Sequence, residues 1–89
     1  MNKEEVNQIL SNQFYKFAKT MPTAPHAYTL KENWADPNLF DSVVQFIRDN
    51  GVPERFYTKS YIYYYANGYK YWTMGNPIAI TKLINRAEV

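Results

Sequence analysis

The chain contains no cysteine, which removes a disulfide framework and a thiolate metal site together. Its single histidine, His26, cannot assemble the several ligands that zinc needs. Three glycines among 89 residues leave no Walker or dinucleotide pattern. Ser11, Ser42 and Ser60 sit in no nucleophile motif. No apolar run approaches the roughly 20 residues of a membrane span. The start, MNKEEVNQIL, lacks the basic-then-apolar pattern of a signal peptide. A net charge of +2 is too small to announce nucleic-acid binding, although it permits an anionic ligand. These absences disfavour a metalloenzyme, a nucleotide-hydrolysing motor, a secreted disulfide scaffold and a membrane protein.

Aromatic residues are plentiful. At 89 residues the chain is expected to form one domain, 1–89. A domain of this size buries only about 60–65% of its unfolded surface, so large core side chains matter. Asn2 followed by Glu5 resembles a capping box, and Val6, Ile9, Leu10, Phe14 and Phe17 recur at helical spacing. A first helix is predicted over Lys3 to Lys19. Pro22 and Pro25 end it, and Tyr28 to Leu30 reads as a short strand. Asp36-Pro37 is a helix start, and Leu39, Phe40, Val43, Phe46 and Ile47 form an apolar stripe up to Asn50-Gly51. Gly51 is expected in a left-handed cap. Phe14, Phe17, Val43, Phe46 and Ile47 are expected in the core.

Phe56 to Ala66 reads as one strand, Asn67-Gly68 as a type I′ turn, and Tyr69 to Met74 as the returning strand. Asn76-Pro77 again resembles a helix start, followed by a strand near Lys82 to Arg86. The fold class expected is α+β, with two helices packed on a small antiparallel sheet that contains a Tyr-rich hairpin. A two-residue turn pairs Tyr65 with Lys70, Tyr64 with Tyr71, Tyr63 with Trp72 and Ile62 with Thr73. One face then carries Tyr61, Tyr63, Tyr65, Lys70, Trp72 and Met74. The other carries Ile62, Tyr64, Ala66, Tyr69, Tyr71 and Thr73. The segment Tyr61–Trp72 holds six of nine tyrosines and one of two tryptophans, so both faces are aromatic. One reading is packing, because aromatic cross-strand pairs stabilise sheets. The other is recognition, because Tyr and Trp are enriched at contact surfaces and stack on nucleobases. Arg55, Lys59, Lys70, Lys82 and Arg86 read more simply as scattered surface cations than as a concerted anion site.

The strings FYKFAKTMPTAPHAYTL, GYKYWTM and LINRAEV resemble a family of small uncharacterised bacteriophage and mobile-element proteins, a domain also found beside methyltransferase domains. The turn Ala66-Asn67-Gly68 is shorter than the proline- and acid-containing turn that relatives often carry. The resemblance implies a bacteriophage setting, the cytoplasm of a bacterial host, and a counter-defence role. Such proteins act by occupying a host defence protein or by trapping its nucleotide signal. The expectation is a non-enzymatic binding protein that sequesters a nucleotide-like small molecule. The alternatives are an inhibitor that binds a host defence protein and an accessory nucleic-acid-binding domain of a methyltransferase system. The expected ligand-binding residues are His26, Tyr28, Tyr63, Tyr65, Lys70, Trp72 and Arg86. No catalytic residue, metal, cofactor or membrane partner is expected, and a homo-oligomer is. Were a ligand cleaved, His26 would be the first residue to test.

Overall fold

The computed structural model describes residues 1–20 and 26–83, and side chains for 1–14 and 26–83. Helix α1 spans Lys3–Thr20. Asn2 opens it, its Oδ1 accepting from the Glu5 amide at 2.9 Å. Helix α2 spans Pro37–Asn50, and Asp36 accepts from the free amides of Asn38 and Leu39. Five strands form one antiparallel sheet: β1 His26–Leu30, β2 Val52–Phe56, β3 Lys59–Ala66, β4 Tyr69–Met74 and β5 Ala79–Leu83. Their order across the sheet is β1-β5-β4-β3-β2. The protein is therefore α+β, with the Tyr-rich hairpin inside the sheet.

The register decides which side is the core. Ala27 of β1 pairs with Lys82 of β5, which pairs with Tyr71 of β4, which pairs with Tyr64 of β3. Paired residues point the same way, and all four are buried. Both helices cover this face: Val6, Leu10 and Phe14 from α1, and Phe40, Val43, Val44 and Ile47 from α2, share one cluster with it. Tyr71 is fully buried, its ring edge-on to Phe14 at 5.6 Å. Two bonds tie the hairpin to α1. Tyr64 Oη donates to Asn7 Oδ1 at 2.6 Å, and Asn67 Nδ2 donates to the Asn7 carbonyl at 2.9 Å.

Several expectations are corrected. Gly51 is extended (φ −75°), so glycine is needed there for space rather than for a left-handed cap. A Cβ would lie 2.5 Å from Ile62 Cγ2 and 2.9 Å from the Tyr63 carbonyl, where the end of α2 meets β3. The predicted strand Phe56 to Ala66 is broken at Tyr57-Thr58, and Val52–Phe56 forms a separate strand that pairs with the first half of β3. The hairpin register is as expected for Tyr64–Tyr71, Tyr65–Lys70 and Ala66–Tyr69. The ladder ends there, before the Tyr63–Trp72 and Ile62–Thr73 rungs, and Ile62 and Tyr63 pair with Pro53 and Val52 of β2. Asn67 and Gly68 both have positive φ, as a type I′ turn requires.

Asn76-Pro77 starts no helix; it is a cis peptide in the turn between β4 and β5. The last strand runs over Ala79–Leu83 instead of Lys82 to Arg86. Phe46 is only partly buried, edge-on to Tyr64 at the border of the core, whereas Val43 and Ile47 of the same helix are fully buried. Arg86, the prolines at 22 and 25, and the side chain of Phe17 lie outside the described residues.

Candidate functional site

The face away from the helices gathers most of the residues expected to bind. Because Ala27 and Lys82 point to the core, His26 and Tyr28 point away from it. Tyr28 pairs with Thr81, which pairs with Trp72. Lys70 pairs with Tyr65. Val52 of β2 pairs with Tyr63, and Glu54 pairs with Tyr61. Six of the seven expected residues, His26, Tyr28, Tyr63, Tyr65, Lys70 and Trp72, thus share one surface and come from three strands, β1, β3 and β4. Arg86 lies outside the described residues.

The rings touch in series. His26 meets Trp72 edge-to-face at 5.3 Å, Trp72 meets Tyr63 at 5.4 Å, and Tyr63 meets Tyr61 at 6.3 Å. The first two contacts are edge-to-face, a favourable geometry for aromatic pairs at these spacings, and the third is tilted. The Trp72 indole N–H donates to Met74 Sδ at 2.9 Å. Tyr61, Tyr63, Tyr65 and Trp72 are consequently half-buried, whereas Tyr28 is 62% exposed.

Lys70 is one of the expected ligand-binding residues, and its charge is already engaged. Its Nζ lies 4.0 Å from the Tyr63 ring centroid and 3.4 Å from Glu54 Oε1. Tyr65 Oη donates to the other oxygen of the same carboxylate at 2.5 Å. Burial works against the Lys70 charge, but Tyr65 and Glu54 outweigh it and hold the ammonium above its ordinary range. Burial, then the bond to Glu54, pushes the Tyr65 phenol up. Glu54 is not among the residues expected to bind, although it joins Tyr65 and Lys70 here. A β2 pairing read from Val52–Phe56 would have brought it to the hairpin.

A second missed feature lies on the opposite face. Lys82 was counted among surface lysines, yet it is 4% exposed. Its Nζ sits 3.7 Å over the Tyr69 ring and 5.9 Å from the Phe14 ring. Burial lowers its pKa.

The larger of two described grooves is elsewhere. It encloses about 800 Å³ between α2, the 3-10 turn Lys31–Asn33 and the β4–β5 turn, and none of the stacked rings lines it. Among the described residues no group of three or more His, Asp or Glu could hold a metal ion, and no helix is long and apolar enough to cross a membrane. His26 has no acid or hydroxyl hydrogen-bond partner among them. What the open face can do is bury flat apolar surface. Compared with protein-family models, curated proteins and solved structures, the chain matches none.

Proposed function

We propose that this is a non-enzymatic binding protein whose open sheet face docks against a surface of another protein. The observation that carries this reading is the self-neutralised aromatic sheet: the rings fill one another's gaps, and Glu54 satisfies Lys70. Such a surface offers area without unpaired charge, which suits a protein interface better than phosphate capture. By the resemblance to small bacteriophage proteins, the partner is a host defence protein, inhibited by occupancy.

A second reading, stacking of a nucleotide-like small molecule, has one specific observation in its favour. Tyr28 and Trp72 stand on one row with the small Thr81 between them, two strand spacings apart, about 9–10 Å. A base between the two rings would meet both.

The test is a photo-crosslinking residue at Tyr28 in a bacterial host, followed by calorimetry with the purified crosslinked partner. Saturable binding that Trp72→Ala removes is the expected result. Binding of a nucleotide from a panel by calorimetry, with no protein partner, would replace the first reading by the second. Partner binding unchanged by Trp72→Ala would remove the open face from the interface.

A further inference from the structure

The β2–β3 hairpin ends in a strained aromatic tip. Phe56 pairs with Lys59, which leaves Tyr57-Thr58 as a two-residue loop. Tyr57 has φ 56°, a left-handed conformation that such loops normally give to glycine, asparagine or aspartate. Its ring is 85% exposed, beside that of Phe56 at 4.7 Å. A bulky residue thus occupies an unfavourable backbone position while burying little of itself in its own fold. Strain combined with exposure marks a position held for contact rather than for stability. Arg55 and Lys59 flank the tip, and the sequence has no Asp or Glu between Glu54 and Glu88. Neither cation has an ion-pair partner among the described residues.

The groove of about 800 Å³ has complementary properties. Leu30, Phe40, Val44 and Ile78 give it apolar walls. Of its charged groups, Lys31 and Asp41 pair with each other at 2.8 Å, and Arg48 Nε donates to Thr73 Oγ1. Glu32 and Arg48 thus have no ion-pair partner among the described residues, Arg48 being held against the neutral Thr73 hydroxyl, and Glu32 is the groove carboxylate left to meet a cation. The volume is in the range of sites that enclose small aromatic ligands, ample for two rings.

We infer that Phe56 and Tyr57 of one copy insert into this groove on a second copy, where Arg55 or Lys59 meets Glu32. The contact is independent of any ligand of the open face. It joins two different surfaces, so a reciprocal pair closes a dimer and a one-way contact continues as a chain.

Sedimentation velocity tests this with two variants. Tyr57→Gly fits the left-handed turn, so its melting temperature should match or exceed that of the wild type. It should nevertheless self-associate at least tenfold more weakly. Ile78→Asp places a charge on the groove wall at an exposed turn position and should weaken association equally. Mixed together, the two should associate more strongly than either alone, through the one tip-in-groove contact that the mixed pair keeps. A wild type that is monomeric at high micromolar concentration overturns the inference. So does Tyr57→Gly or Ile78→Asp that associates like the wild type.

Discussion

The two faces of the sheet are built from nearly the same residue types and do opposite things. On the helix face Tyr64 and Tyr71 pair beneath α1 and α2, almost without solvent. On the open face Tyr63 and Trp72 meet edge-on, Tyr65 is held by Glu54, and all three stay half-exposed. Each face also carries a lysine against aromatic rings. Lys82, under the helices, has rings and no described acid, and burial lowers its pKa. Lys70, on the open side, has a ring and Glu54, and its pKa is raised. What separates structural from available tyrosine is therefore the layer above, not the residue.

The comparison breaks most sharply at Tyr71. Tyr71→Ala should cost about 3–5 kcal/mol in urea denaturation, the range for deleting a buried aromatic side chain. A loss below about 1 kcal/mol would show the helix face to be loosely packed. Next comes Gly51→Ala, where the added methyl meets Ile62 and two carbonyls. Overpacking should cost about 1–3 kcal/mol, read as a lower melting temperature.

Lys82→Met sharpens the contrast between the lysines. Because burial lowers the folded pKa, the unfolded chain binds this proton more readily. The penalty is full below the folded pKa and vanishes as pH rises to the unfolded value, about 10.4. Lys82→Met should thus gain stability at neutral pH, and the gain should shrink as pH approaches 10. A pH-independent difference between the two proteins would contradict a buried charge. The smallest effect on stability should come from Trp72→Ala. It loses cross-strand contacts worth about 0.2–1 kcal/mol, yet it should remove partner binding. Loss of folding in this variant would make the open face structural.

Much of this division could be read from the residues, and the gaps have local physical causes. Asn67-Gly68 announced its turn because few other residues tolerate two positive φ values, and the turn set the parity of both strands. Tyr57-Thr58 announced nothing, since an aromatic in a left-handed position carries no turn signal. The strand β2 and the partnership of Glu54 with Lys70 were lost with it. Asn76-Pro77 looks locally like Asp36-Pro37, and only the strands on either side make it a turn. Which tyrosine face was core depended on where two helices landed, a long-range outcome that alternation cannot encode. Lys82 was hidden for a similar reason, since its burial depends on Phe14 and Tyr69, distant in sequence.

The placement of the two tryptophans has a practical consequence. Trp34 is buried, its indole N–H bonded to Thr29 Oγ1 at 3.1 Å and its ring edge-on to Phe40. Trp72 lies among the rings of the open face. The chain therefore carries two intrinsic fluorophores in separate compartments. In Trp34→Phe the emission comes from Trp72 alone and follows occupancy of the outer surface. In Trp72→Phe it comes from Trp34 and follows unfolding. Acrylamide quenching of the two single-tryptophan proteins should differ severalfold, giving dye-free readouts of engagement and of denaturation.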